Sequence, residues 1–358
     1  MMFGGIYQNT PVMVTGHTGF KGSWLVFWLQ RLGAKVYGYA LPSPTDPAHW
    51  DLLKLDIPTK QADIRDGETL TQAVNEFKPE IVFHLAAQPL VRRSYEYPVE
   101  TYSTNVMGTL NLLEACRQSS SVRAIVNVTS DKCYDNREWV WGYRENDPMG
   151  GHDPYSSSKG CAELLTASYR NSYFPIEAYG QSHTTLLASC RAGNVIGGGD
   201  WALDRLVPDI MKAASEGKEV LIRNPQATRP WQHVLEPLSG YLLVGRRLLA
   251  GDCSCAEAWN FGPPDELSLS VGQLAQSLPN WWPRISLKTP SLGEQPHEAQ
   301  NLTLDCSKSR ALLGWRPTWK VEKTLEKTVT WYRHFYEQEG LLTERDLTDY
   351  EENMRWGD

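Results

Sequence analysis

A chain of 358 residues, 41% of them apolar and 22% charged, has the size and composition of a globular protein with one large or two modest domains. Its 35 basic and 42 acidic residues give a net charge of −7 without long single-sign blocks, which argues against nucleic-acid binding or a polybasic membrane patch. No apolar run approaches the roughly 18 residues of a membrane helix, and MMFGGIYQNT lacks the charged and apolar regions of a secretory signal, so a cytoplasmic location is expected.

From Pro11 to about residue 195, short apolar runs alternate with stretches of helical period. PVMVT, AKVYGYA, EIVFHLAA, RAIVNVTS and TTLLASCRAGNV read as strands. Their near-continuous apolarity suits a parallel sheet covered on both faces. Helices are predicted between them at Phe20–Leu32, Gly67–Phe77, Val99–Gln118 and Tyr155–Tyr173. This alternation predicts an α/β, doubly wound Rossmann domain over residues 1–195, whose ligands sit beyond the carboxyl ends of the strands. Beyond Gly197-Gly198-Gly199 the rhythm loosens. Residues 196–340 are expected to form a smaller mixed α/β substrate lobe, parts of which return to the first domain, and 341–358 a polar, peripheral tail. Seven cysteines, an odd number, read as reduced and mostly buried thiols. The 14 tryptophans, the pair Trp281-Trp282 among them, fill a core or mark an oligomer surface. The eight histidines show no metal-ligand spacing, so no metal is expected.

The first strand runs into Thr15-Gly16-His17-Thr18-Gly19-Phe20-Lys21-Gly22, a G-x-x-G-x-x-G between strand and helix. Glycines there let the backbone turn sharply and approach a pyrophosphate seated on the helix N-terminus. His17 and Lys21 offer positive charge to those phosphates or are solvated loop residues. A carboxylate about 20 residues beyond the glycines would hold an adenosine ribose. The second strand instead ends in Tyr39-Ala40-Leu41-Pro42-Ser43, which leaves NAD and NADP both open.

Tyr155-Ser156-Ser157-Ser158-Lys159 places a phenol and an ammonium on one helix face. A free tyrosine, with a pKa of about 10, is a poor base at neutral pH, but nearby positive charge favours the phenolate. Upstream, Thr129-Ser130-Asp131-Lys132-Cys133-Tyr134 closes a strand, where Ser130 can hydrogen-bond a substrate oxygen beside Tyr155.

Gly16, Gly19 and Gly22, then Ser130, then Tyr155 and Lys159 occur in the order and spacing of the extended short-chain dehydrogenase/reductases that act on sugar nucleotides. The chain resembles that family over residues 11 to 335. HLAAQ at 84–88, Asn105 in NVMGT and Arg191-Ala192-Gly193-Asn194-Val195 match further elements of it. TGHTGFKGSWL, HLAAQPLVRRSYEYP, TSDKCYDNREWVWGYREN and RPWQHVLEPL are similar to the CDP-glucose 4,6-dehydratase branch. The resemblance implies an NAD cofactor held by Gly16, His17, Gly19, Phe20, Lys21, Gly22, Asp63, Ile64, Leu85, Ala86, Ala87, Asn105, Tyr155 and Lys159. It implies CDP-glucose as substrate, met by Gln88, Arg93, Ser130, Asn194, Arg205, Arg223, Arg229 and His297. It also implies a homodimer or homotetramer built through the Val99–Gln118 and Tyr155–Tyr173 helices.

Dehydration needs two groups beyond those of a simple C4 oxidation, one to remove the C5 proton and one to protonate the departing C6 hydroxyl. Asp131 and Lys132 offer that pair, or form a simple loop salt bridge. Most relatives carry glutamate at the second position. Lys132 is a departure similar to that of the CDP-glucose branch, and as C5 base it would have to be neutral.

Overall fold

Seven runs of the chain pair in parallel to form the central sheet: β1 (Pro11–Thr15), β2 (Lys35–Ala40), β3 (Thr59–Gln61), β4 (Ile81–His84), β5 (Ala124–Val128), β6 (Leu186–Ala192) and β7 (Ala258–Phe261). The computed structural model describes residues 1–222, 224–263, 269–288 and 302–354. The spatial order is β7-β6-β5-β4-β1-β2-β3, so the winding reverses between β1 and β4. Ligands of doubly wound sheets bind at such a reversal, outside the carboxyl ends of the strands. β1, β4, β5 and β6 are buried almost throughout, as their unbroken apolar runs require.

Helices cover both faces. α1 (Phe20–Arg31) and α6 (Leu235–Leu249) lie on one face, with Trp24, Trp28, Leu238, Tyr241 and Trp259 in a common core. α2 (Gly67–Phe77), α3 (Gly108–Gln118) and α4 (Pro154–Ser172) lie on the other, around Leu70, Val74, Leu112, Leu113 and Tyr169. A second core joins α5 (Leu206–Glu216) and α7 (Val321–Gln338) around Ile210, Met211, Trp282, Trp331 and Tyr332. Among the described residues six tryptophans, Trp282 among them, are wholly buried.

The predicted strands and helices reappear with ends shifted by at most three residues, with one instructive break. The helix expected over Val99–Gln118 is α-helical at Pro98–Tyr102, widens to a π-turn at Ser103–Met107, and resumes as α3. β3 carries no apolar residue and is fully exposed, so nothing in Thr59-Lys60-Gln61 announces a strand.

The peripheral tail needs correction. α8 (Thr343–Asn353) inserts Leu347 and Tyr350, both wholly buried, into the core beside α1. Asp346, also buried, pairs with Lys327 at 3.0 Å. The helix is polar in composition yet amphipathic, and its few apolar residues share one face. Among the described residues, no helix is long and apolar enough to cross a membrane.

Candidate active site

The β1–α1 turn is shaped by contacts between backbones. Gly16 has φ +73°, and a Cβ there would stand 2.7 Å from the Ala86 nitrogen, because the ends of β1 and β4 lie side by side. The Leu85 and Ala86 amides donate to the Thr15 carbonyl and hydroxyl, at 3.1 and 3.3 Å. At Gly22 a Cβ would meet the Gly16 oxygen at 2.1 Å, so helix and turn could not close. Gly19 differs. It lies at φ −78°, and its added Cβ would find only the Gly16 oxygen, at 3.4 Å. The fold itself does not require glycine there. It caps α1, whose N-terminus has no side-chain cap and no acidic residue in its first turn, and Phe20 and Lys21 follow directly. A bare helix N-terminus edged by a glycine with room to spare suits a pyrophosphate, so this turn fits a dinucleotide.

β5 and α4 bring the predicted catalytic residues together. Asp153 caps α4 by accepting from the Ser156 amide at 2.9 Å, and Pro154 pre-sets the first turn, which fixes Tyr155 and Lys159 on the face toward β5. Ser130, two residues beyond β5, is extended and caps the one-turn helix Asp131–Cys133. Its hydroxyl donates to Asp131 Oδ1 at 2.9 Å and acts on the Tyr155 phenol, favouring its ionised form. Ser130, Asp131, Tyr155 and Lys159 are all buried, and Lys132 is half-buried beside Asp131.

Burial dominates the electrostatics. It pushes the Tyr155 phenol up to about 12, against the pull of Ser130 and of the Arg205 guanidinium. It lowers Lys159 to about 8, partly offset by the Glu163 carboxylate. Burial also raises the Asp131 carboxyl above the usual range, although Lys132, Ser130, Arg229 and Lys21 oppose the shift. The folded chain therefore favours a neutral phenol and a readily protonated carboxyl, and a phenolate at neutral pH requires more positive charge than these side chains supply.

A buried ion pair that sequence reasoning missed supports this cluster. Glu163, one helical turn after Lys159, accepts from Arg191 at 2.7 Å, from Ser189 at 2.8 Å and from Thr129. Arg191 also donates to the Tyr134 hydroxyl at 2.7 Å, which in turn donates to Asn260 on β7. Burial alone would raise the Glu163 carboxyl, but Arg191 and these donors hold it below the ordinary value. Its signal was the spacing 155, 159, 163 on one helix face.

Other predicted residues sit differently. His17 is buried against Trp50, and burial lowers it to about 4, so it is neutral and gives phosphates no charge. Lys21 turns toward the catalytic cluster, where it senses Arg205, Asp131, Lys159 and Asp200. Gln88 and Asn105 form an internal clamp. The Gln88 amide engages Leu90 and Thr101, while Asn105, in the π-turn, joins the Gln88 backbone to Ser158 of α4 at 2.8 Å. Both therefore position the loop after β4 against α4. Asp63 is held by the guanidinium of Arg65 at 2.6 Å, and Ile64 is buried beneath Gly108.

Among the substrate candidates, Arg205 pairs with Asp200 at 2.7 Å and interacts with Tyr155. Arg229 is buried and acts on Asp131. Asn194 follows β6, and its carbonyl accepts from Gln232 at 3.0 Å. Arg93 instead forms a surface pair with Glu100 at 3.0 Å over the Tyr97 ring, and its neighbour Arg92 reaches Asp204 of the second lobe at 3.3 Å. Arg223 and His297 lie outside the described residues. All seven cysteines are free thiols, five of them buried. Among the described residues no cluster of His, Cys, Asp and Glu has the arrangement of a metal site.

The family model described as GDP-mannose 4,6 dehydratase matches residues 13–328. The chain is 53% identical over 348 residues to the CDP-glucose 4,6-dehydratase of Salmonella typhimurium, covering 96% of this chain and 97% of the relative. It is 26% identical to a dTDP-glucose 4,6-dehydratase of Xanthomonas campestris, covering 89% and 92%. Among solved structures, an epimerase from Methanothermobacter thermautotrophicus superposes with a TM-score of 0.81 at 24% identity, covering 96% of each chain. The dTDP-glucose 4,6-dehydratase of Streptomyces venezuelae, solved with NAD bound, superposes with a TM-score of 0.75 at 23% identity, covering 92% and 99%.

Proposed function

The chain belongs to the GDP-mannose 4,6-dehydratase family of extended short-chain dehydrogenase/reductases, and from this we propose that it converts CDP-glucose to CDP-4-dehydro-6-deoxyglucose with the help of NAD. The observation that carries the reading is the junction of two sets of groups in one buried cluster: Ser130, Tyr155 and Lys159, which suffice for C4 oxidation, and Asp131 with Lys132, which only elimination needs. A bound NAD would supply the hydride acceptor for C4 and the hydride donor for C6.

The uncapped N-terminus of α1 with Gly16, Gly19 and Gly22 would hold its pyrophosphate, and Leu85, Ala86 and Ala87 would floor the site. Leu41-Pro42-Ser43, just beyond β2, carries no basic residue to meet a 2′-phosphate, which favours NAD over NADP. Tyr155 takes the O4 proton. Lys159, lowered to about 8 yet still largely charged at pH 7, favours the phenolate. Lys132 removes the C5 proton, made acidic by the C4 ketone, and Asp131 protonates the departing O6. Arg205, which acts on Tyr155, and Arg229, which acts on Asp131, stand close enough to this cluster to meet the diphosphate.

We further infer a homodimer or homotetramer in the cytoplasm. Val99, Tyr102 and Met107 before α3, and Leu164 and Tyr173 on and beyond α4, are exposed apolar side chains suited to packing against a second copy. Seven free thiols suit a reducing compartment. The test of function is incubation with CDP-, dTDP-, GDP- and UDP-hexoses followed by mass spectrometry. Loss of one water from CDP-glucose in preference to the others is expected. An isomer of unchanged mass would mean epimerisation, and preference for another base would remove the CDP assignment.

A further inference from the structure

The proton count of the proposed dehydration leaves one proton out of place. C4 oxidation puts the O4 proton on the Tyr155 oxygen. Elimination moves the C5 proton to Lys132 and a proton from Asp131 onto O6, which leaves as water. When C5 regains its proton, only Lys132 is restored. Tyr155 is left as the phenol and Asp131 as the carboxylate, and a second turnover needs the reverse of both.

Ser130 stands between these two groups. Its hydroxyl acts on the Tyr155 phenol, which it pulls toward ionisation, and donates to Asp131 Oδ1 at 2.9 Å, so the carboxylate is the acceptor at the end of the chain. The extended backbone of Ser130 and the approach of the Lys132 amide, 3.3 Å from Oγ, fix the hydroxyl in place. All three residues are buried. The other carboxylate oxygen, Asp131 Oδ2, is buried with no hydrogen-bond partner among the described residues, and is the one left for the substrate.

We propose that Ser130 relays the proton from Tyr155 to Asp131 and so resets the acid and the base together after each turnover. The inference rests on the dehydratase reading. The Tyr155 O–H bond breaks as a new O–H bond forms on Ser130, and the proton Ser130 held passes to Asp131 Oδ1. Phenol, hydroxyl and carboxylate become phenolate, hydroxyl and carboxylic acid, with no proton drawn from solvent. Burial opposes ionisation of the phenol, so the shift runs toward Asp131 only while positive charge stands near Tyr155. Arg205 and Lys159 supply part of that charge, and an oxidised nicotinamide would supply more.

The experiment is rapid-quench kinetics of the NAD-loaded enzyme with excess CDP-glucose, together with infrared difference spectra of the Asp131 carboxyl stretch after one turnover. The wild-type chain should form product linearly from the first turnover and return to the protonated carboxyl. Ser130→Ala should slow later turnovers on the order of 100-fold more than the first, with Asp131 trapped as carboxylate. Ser130→Thr, which keeps the hydroxyl, should restore the linear trace. If Ser130→Ala does not fold, Ser130→Cys replaces it, with a thiol that hydrogen-bonds weakly. Equal slowing of first and later turnovers would make Ser130 an orienting group and overturn the relay alone. A full-speed linear trace with Asp131 reprotonated would do the same. A wild-type chain that forms no dehydrated sugar overturns both readings.

Discussion

Replacing Glu163 by glutamine tests whether the buried pair beneath the catalytic helix supports both the fold and Lys159. Glutamine keeps the size of the side chain and one oxygen to accept from Thr129 or Ser189, but removes the charge that faces Arg191 at 2.7 Å. Both side chains of the pair are at most 4% exposed, so the guanidinium is left charged and buried without its counterion. Stranding one partner of a buried pair costs about 3–5 kcal/mol, several times a surface pair. The assay is urea unfolding: the unfolding free energy should fall by that amount, seen as a lower midpoint at unchanged slope. The second readout is Lys159. Burial already lowers it to about 8, and the Glu163 carboxylate opposes that shift. Loss of the carboxylate leaves Lys159 lower still, so the alkaline limb of the activity profile should move to lower pH. The double variant Glu163→Gln/Arg191→Met should recover part of the stability, because no charge is then stranded. A cost below about 1 kcal/mol, within the range of an exposed pair, combined with an unmoved alkaline limb, would refute the reasoning.

Tyr155→Phe should abolish turnover while nucleotide-sugar binding, followed by calorimetry, stays within a few fold, since only the O4 proton acceptor is lost; near-normal turnover would remove Tyr155 from the chemistry. Lys132→Met should cut formation of the 6-deoxy product by on the order of 100- to 10,000-fold. Lys132→Arg should not rescue it, because a guanidinium cannot act as a base near neutral pH, and strong activity in that variant would leave Lys132 a merely electrostatic role. Gly22→Ala, whose new Cβ would lie 2.1 Å from the Gly16 oxygen, should fail to fold stably. Gly19→Ala, with 3.4 Å of room, should keep its melting temperature yet bind NAD at least about tenfold more weakly; equal effects of the two would contradict the cradle. His17, lowered to about 4, and His49, His84 and His233, each lowered to about 3, are buried as neutral rings. Their stabilisation is complete above the unfolded value of about 6.5 and declines as pH falls toward the folded values, by about 1.4 kcal/mol per pH unit each. Glu236, raised to about 7 by burial, works in the opposite sense, so on the order of three protons should be taken up on unfolding near pH 5.5. Denaturant midpoints that do not change between pH 7 and 5 would exclude this.

The strands and helices of the first 195 residues were legible because each sheet strand with a signal is buried on both faces and therefore almost continuously apolar. The glycine turn and the tyrosine–lysine pair were legible because their chemistry depends on short spacing within one element. Relationships across elements were hidden. The partners of Asn105 are the loop after β4 and Ser158 on α4, 53 residues away, and only packing shows that its amide is fully engaged. His17 reads as a cation beside phosphates until burial against Trp50 makes it neutral. β7 follows β6 by 65 residues and joins it only because α6 crosses back over the sheet. The last helix looked like a solvated tail since most of its residues are charged, yet Leu347 and Tyr350 complete the core against α1. Local sequence determined which backbone segments fold and which carry reactive groups. The tertiary structure decided which of those groups are charged and which already have partners, because desolvation and hydrogen bonding depend on neighbours distant in the chain.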